Sequence, residues 1–365
     1  MIPMNDFSAE PEELLGKELQ AFERVVRSGR FVLGNEVKEF ESDWAARCGT
    51  RFSVGVGNGM DAIEIGLRAL GIGYGDQVIT SSMTAFATIL AIMRAGAEPV
   101  LADIDPETAL MDPESAVRCL SVRTRAVLLV HLYGHVCNME EWAALCERAG
   151  IYLLEDCAQS HGAAWRGKVA GSFGVWGAYS FYPTKNLGGL GDGGALVTSD
   201  EEIARKAEML RNYGQSKRYY HLEHGLNSRL DELQAAVLSV RMRWLDAFNK
   251  RRKEIAGRYT DSISNPLIHK MANPPEAENH VYHLYVVRCR ERDRLSAYLK
   301  ERGVSTLIHY PIPAHLQPLC KGVRIDPKGL GHSERHAVSC LSIPCHPQMS
   351  ENDVNNIIGA LKDFR

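Results

Sequence analysis

Apolar residues recur along this chain in two rhythms, and the rhythms alternate. In RFSVGVGNGMDAIEIGLRALGIGYGDQVIT an apolar run from Phe52 to Val56 meets the turn Gly57-Asn58-Gly59. Ile63, Leu67 and Leu70 then recur at the i, i+4 and i+7 spacing of one helix face, and a second apolar run opens at Gln77. The pattern predicts a strand, a helix and a strand: one βαβ unit. Short apolar runs follow at EPVLADI, RAVLLVHLYG, IYLLED, GAYSFYP and GALVTS, with helical segments such as NMEEWAALCERAG between several of them. Such alternation predicts an α/β fold with a mainly parallel central sheet covered by helices on both faces.

From Glu201 the rhythm becomes that of long helices, EEIARKAEMLRNYG and then SRLDELQAAVLSVRMRWLDAFNKRRKEIAGRY. A Pro/Asn-rich connection, NPLIHKMANPPEAEN, is followed by HLYVVRCR with strand alternation, DRLSAYLKERG as a helix, VSTLIHYP as a strand and DVNNIIGALKDF as a closing helix. The expected organisation is a large α/β domain over residues 1–245 and a small C-terminal α+β domain over 246–365.

Composition narrows the function classes without adding to the fold. Lys+Arg 42 against Asp+Glu 45 gives a formal charge of -3, so no net positive field gathers nucleic acid or an anionic membrane, and an anionic ligand has to be held by a local site. Nine cysteines, an odd number with no CxxC pair, fit free thiols in a reducing cytoplasm better than a disulfide framework or a zinc knuckle. The N-terminus lacks a basic stretch followed by an apolar core, and the longest apolar region, TAFATILAIMRAGAEPVLA, is broken by Arg94 and Glu98. Neither a signal peptide nor a membrane span is expected.

Four segments place reactive or anion-holding groups at strand ends, where a parallel sheet presents its ligand crevice. GVGNGMDA lacks the last glycine of a dinucleotide fingerprint, because Met60 stands there. What it keeps is a glycine turn at a helix start, where the amides of Gly59 and Met60 are free to hold a phosphate. In IYLLEDCAQSHGA a strand ends at Asp156, followed by Gln159; read alone, Asp156 is more often a helix cap, and Cys157 a small packed residue rather than a nucleophile. In SFYPTKNLGGLGDGGALVTSD, Lys185 stands among apolar and small residues, a setting in which a desolvated amine becomes a nucleophile able to form a Schiff base. GLNSRLDELQAA sets Asn227 and Arg229 just before a predicted helix, as a cap and an ion-pair partner if nothing more. His131 and His135 have HxxxH spacing but straddle a strand and its following loop, so no metal site is expected.

Together the segments meet the demands of pyridoxal 5'-phosphate (PLP): an amine for its aldehyde, a carboxylate for its ring nitrogen and an anion-binding turn for its phosphate. The sequence also resembles the nucleotide-sugar aminotransferases of the DegT/StrS group, fold type I PLP enzymes, nearly end to end. The likeness runs from IPMNDF through GNGMDAI, EDCAQSHGA, SFYPTKNLGGLGDGGAL and GLNSRLDELQAA to LIHYPIPAHLQP and LSIPCHP. It implies Lys185 as the Schiff-base lysine and proton shuttle, Asp156 at the ring nitrogen and Gln159 near the ring hydroxyl. Ser180 and the amides of Gly59 and Met60 would hold the phosphate, with Asn227 reaching it from the other subunit of a homodimer.

The resemblance further implies L-glutamate as amino donor and a nucleotide-linked keto-6-deoxy sugar as acceptor. The wording FYPTKNLG with GLNSRLDELQAA is most similar to enzymes acting at carbon three of dTDP-linked sugars; a 4-aminotransferase is the alternative. Tyr182, Tyr213, His309, Tyr310, His315 and Gln317 are the candidates for the substrate mouth. One departure stands out: Ala85 occupies the place where many members carry an aromatic that stacks on the cofactor, and Phe86, one residue on, is expected to point the other way along a strand or extended loop. Two rivals are a sugar dehydratase of the same fold, whose members replace the lysine that stands here as Lys185, and a regulatory protein that keeps the fold without turnover.

Overall fold

The structure, a computed structural model, describes residues 1–365. Its centre is an eight-stranded sheet in the order Phe52–Val56, Gly194–Thr198, Gly177–Ser180, Tyr152–Asp156, Thr124–Val130, Gln77–Ser81, Glu98–Ala102 and Arg324–Ile325. Only Gly194–Thr198 runs against the others. The carboxyl ends therefore gather along one edge. Val130 pairs with Asp156 and Asp156 with Ala178, while Ser180 and Val56 both face Gly194.

The strands are apolar almost without interruption because both faces are covered. Leu128 and Leu154 point into one core, shared with Ile65, Leu67 and Trp176; Val127 and Leu153 point into the other, shared with Phe40, Trp44 and Trp142. Successive residues serve opposite layers, as the strand period of two requires. The helix Gly59–Ala69 is capped by Asn58, whose side chain accepts from the Asp61 amide at 2.8 Å. It lies so close to the sheet that a Cβ on Gly66 would come within 2.6 Å of the Trp176 ring.

The predicted long helix divides into Glu232–Met242 and Leu245–Ser262, joined through Arg243 and Trp244. A separate core of 21 buried residues, with Ile255, Tyr259, Val287, Leu341 and Leu361 among them, holds the second unit. Its antiparallel sheet is His269–Lys270, Tyr285–Arg288 and Cys340–Ile343. The segment VSTLIHYP forms no strand of its own: Leu307 makes one bridge to Ser342 and the chain leaves. It returns to the large sheet, where Arg324–Ile325 pairs with Glu98–Ala102 and Ala314, Cys320 and Leu330 pack on Ile89 and Leu101. At the opposite terminus, Ile2 bridges Val304. A single cut at residue 245 does not follow this path. No helix is long and apolar enough to cross a membrane.

Gly66→Ala tests the helix–sheet approach, since the added methyl meets Trp176 and Leu196, both fully buried. We expect a destabilisation of about 1–3 kcal/mol from overpacking, despite the better helix propensity of alanine, read as a lower midpoint in denaturant. An unchanged or higher midpoint would contradict this packing.

Candidate active site

At the carboxyl edge the glycine turn, the buried carboxylate and the lysine come together for separate local reasons. Gly59 and Met60 open a helix, so their amides have no intrahelical acceptor. Ser180 ends the neighbouring strand, and a Cβ on Gly59 would stand 2.7 Å from the Ser180 Cβ. Gly194 is equally constrained, its hypothetical Cβ lying 2.4 Å from the Asn58 carbonyl carbon. These glycines let strand, turn and helix touch, leaving a cradle of two amides and a hydroxyl that fits a phosphate.

Asp156 is 5% exposed. Its carboxylate accepts from the Thr88 hydroxyl at 2.8 Å and from the Ala158 amide at 3.1 Å. Burial pushes the carboxyl above its ordinary range; these two donors, and the charges of Lys185 and His131, pull it back. Lys185 follows in a tight turn in which its amide donates to the Tyr182 carbonyl at 2.8 Å. Its side chain is half-buried, and desolvation brings its pKa down to about 8 against the opposing pull of Asp156. An amine partly neutral near pH 8 beside a carboxylate short of cations is the pair that a protonated pyridine bearing an aldehyde would satisfy.

Gln159 is fixed from both ends: its Oε1 accepts from the Tyr133 amide at 2.6 Å and its Nε2 donates to the Tyr310 hydroxyl at 3.2 Å. Tyr310 thus joins the edge, and its hydroxyl is pushed up to about 12 by burial and by Asp156. His309 is held by a 2.9 Å hydrogen bond between Nδ1 and the Ser342 hydroxyl, and burial, with the Lys185 charge nearby, lowers it to about 4. His315 bonds Ser82, just past the strand Gln77–Ser81, through Nδ1 at 2.7 Å, and Glu334 through Nε2 at 3.1 Å. Gln317 sits half-buried in the same turn region, where the structure records only its backbone bonds, to Ala314 and Cys320. Tyr182 is exposed beside the lysine turn.

Tyr213 and Asn227 form a second group. Both are exposed; the Tyr213 amide donates to Leu226, Asn227 is bridged to Asn212, and the Arg229 guanidinium lies 5.4 Å from the Tyr213 ring centre. Asn227 is not a helix cap, because the helix begins five residues further on, at Glu232, behind Asp231. Phe86 differs from expectation too. It starts the helix Phe86–Arg94, with Ala85 in the cap position, and its ring packs on the Ile89, Leu101 and Leu330 cluster.

Pattern reading passes over the residues that hold the edge from behind. Thr88 is one, although Thr84, whose hydroxyl it meets at 2.8 Å, stands four residues earlier at helical spacing. Glu155 is another. Its carboxylate accepts from Gly171, Phe173 and Gly174 at 2.7–2.8 Å and meets His131 Nε2 at 3.1 Å. Glu155, His131 and Cys157 bring ligand atoms within 4.8 Å of one another, yet the carboxylate is already saturated by these four neighbours. His135 stacks instead on His280, at 5.1 Å between ring centres.

Residues 13–362 match the model of the DegT/DnrJ/EryC1/StrS aminotransferase family, and the chain belongs to that family. It is 42% identical over 364 residues, 100% of this chain and 96% of its relative, to a dTDP-3-amino-3,4,6-trideoxy-alpha-D-glucose transaminase of Streptomyces venezuelae. A "pleiotropic regulatory protein" of Geobacillus stearothermophilus is 41% identical over 365 residues, 100% of this chain and 98% of the relative. Among solved structures, S. venezuelae DesV in complex with a ketimine intermediate superposes with a TM-score of 0.95 at 42% identity, covering 99% of this chain and 98% of that one.

The lowered pKa of Lys185 sets a prediction for the cofactor-free protein. A limiting amount of an amine-acylating reagent modifies Lys185 with a pH midpoint of about 8, well below the midpoint of about 10.4 typical of free lysine amines, as peptide mass spectrometry resolves. A Lys185 midpoint as high as theirs would remove the desolvated amine.

Proposed function

We propose that the protein transfers an amino group from L-glutamate to carbon three of a dTDP-linked 3-keto-6-deoxyhexose, as a PLP-dependent enzyme and a homodimer. The observation that carries this is the pairing at one sheet edge of a desolvated Lys185 with a buried, hydrogen-bonded Asp156, beside a phosphate-sized cradle. Bound PLP supplies an electrophilic carbon and a ring that accepts electrons when a neighbouring C–H loses its proton. Asp156 keeps the ring nitrogen protonated. Lys185 would be the amine that holds the cofactor, and once an incoming amine displaces it, its free Nζ would be the base that moves the proton. Gln159 orients the ring hydroxyl, and Ser180 with the Gly59 and Met60 amides anchors the phosphate.

The printed name of the S. venezuelae relative supports carbon three and the dTDP carrier. Lys185 argues against the dehydratase reading, and a complete set of lysine, aspartate and phosphate turn argues against a protein that only regulates, whatever the Geobacillus relative is called. Tyr182, His309, Tyr310, His315 and Gln317 form the proposed sugar mouth, with Tyr213 offered to it from the partner. Nine buried, unbridged cysteines fit a reducing cytoplasm.

The case for a second copy rests on two exposed surfaces. Leu19, Phe22 and Val26 line one face of the helix Glu12–Ser28 at i, i+3 and i+7, with Phe31 and Val32 beyond it, all exposed. The hairpin of Gln215–Lys217 and Tyr220–His221 carries exposed Tyr219 and Tyr220, each under a cation, Arg218 at 5.0 Å and Lys217 at 5.3 Å. Such an arm suits an anionic ligand held by another chain, and Asn227 lies beside it.

Two experiments follow. Incubation with glutamate and either a 3-keto or a 4-keto dTDP-6-deoxyhexose should yield product mainly from the 3-keto isomer, with NMR locating nitrogen on carbon three; an amine found only on carbon four overturns the regiochemistry. Mixed Lys185→Ala and Asn227→Ala subunits, each strongly impaired alone, should regain activity through the one intact composite site of the heterodimer. Absence of recovery after demonstrated exchange places the whole site within one chain.

A further inference from the structure

The phosphate cradle is held in shape by a buried lattice that begins on the segment carrying Asn227. The Gly57 amide donates to the Ser228 hydroxyl at 2.9 Å. The Ser228 amide in turn donates to the Arg211 carbonyl at 2.9 Å. The Arg211 guanidinium donates to the Gly55 carbonyl at 2.8 Å and pairs with Glu41, whose carboxylate accepts from the Gly55 amide at 2.7 Å. Ser228 is 2% exposed and Arg211 7% exposed, so water does not substitute for either. Side chains cannot intrude: a Cβ on Gly57 would stand 3.2 Å from the Ser228 hydroxyl, and one on Gly55 3.0 Å from the Leu230 Cβ.

From this arrangement we infer that Ser228 is a positioning residue for cofactor binding, which fixes the turn so that only the Gly59 and Met60 amides face the phosphate. The reasoning is one of pre-organisation. A glycine turn left free samples many backbone states, and closing it on an anion costs conformational entropy that weakens binding. Ser228 takes the Gly57 amide out of that competition before any ligand arrives. Because Asn227 is the next residue back, the segment that shapes the chain's own cradle is also the one offered to the partner's cofactor. The inference rests on the proposal that PLP binds at this turn.

Its test separates the phosphate from the rest of the cofactor. Cofactor-free protein is titrated with PLP and with pyridoxal, which lacks the phosphate, by fluorescence quenching. Ser228→Ala should weaken PLP about tenfold and leave pyridoxal unchanged, whereas Ser228→Thr, which keeps a hydroxyl, retains PLP affinity. Equal losses for both compounds mean general loosening of the fold and overturn the inference, as does an unaltered PLP affinity. A second measurement needs no variant. In the wild type, residue-resolved amide exchange should find Gly57 protected with and without PLP, and Gly59 and Met60 protected only with it. Free exchange at Gly57 in the cofactor-free protein overturns the role of Ser228. Wild-type protein that binds PLP no better than pyridoxal overturns the cofactor reading itself, a result distinguishable from failure of the variant alone.

Discussion

Asp156 keeps a carboxylate nearly out of water at a strand end, and the surrounding structure either offsets the cost of doing so or exploits it. Burying an ion without partners costs several kcal/mol even after relaxation, and each hydrogen bond to a charged group returns about 1.5–3 kcal/mol. Thr88 and Ala158 supply two such bonds, and the nearby charges of Lys185 and His131 act in the same direction. That leaves a carboxyl still displaced towards its neutral form and an amine displaced the same way. A bound group with a protonated ring nitrogen and an electrophilic carbon would relieve both displacements. Thr88 therefore matters more than its place in an apolar helix suggests, since its hydroxyl faces the carboxylate and is itself met by Thr84.

The same edge imposes a steric constraint. A parallel sheet brings strand ends together, but a phosphate is held by backbone only if helix, turn and the next strand approach within van der Waals contact. Gly59 against Ser180 and Gly194 against Asn58 make that approach, with hypothetical Cβ distances of 2.7 and 2.4 Å. Loss of either glycine would push the turn away from Ser180 and enlarge the cradle. In this way the glycine series after Lys185 serves the far side of the site, on the strand Gly194–Thr198, as well as the lysine turn.

Most of the fold was legible because its signals are local. The strand ending at Asp156 is an apolar run closed by acids, and the helix after Gly59 repeats its apolar residues at i, i+4 and i+7. The desolvated amine of Lys185 was legible through residue type, since few settings call for lysine among glycines. Illegible were the contacts that join distant stretches. Nothing near Glu155 announces that its carboxylate collects three amides from residues 171–174, and nothing near Ser228 announces Gly57. Phe86 escaped for the same reason: it starts a helix and packs against a cluster that draws Ala314, Cys320 and Leu330 from far along the chain. The break at Arg243 and Trp244 escaped because helical spacing runs almost unbroken through it.

Residues of the proposed sugar mouth belong to the stretch that crosses from the second unit back to the large sheet, and this ties substrate geometry to the packing between units. Tyr310 accepts from Gln159, His309 is anchored on Ser342 of the small sheet, and His315 meets Ser82 beside the large one. A shift of the second unit would move the first two anchors by different amounts. Since misplacement near 1 Å can cost on the order of 10²-fold in rate, the way this crossing segment is pinned bears directly on the proposed mouth. Arg324–Ile325 pins it by joining the sheet next to Glu98–Ala102, and Asp326 reinforces the pin by accepting from Arg118 at 2.6 Å. A two-residue edge strand that looks like an ornament thus ties the stretch carrying His309, Tyr310 and His315 to the same sheet that carries Asp156.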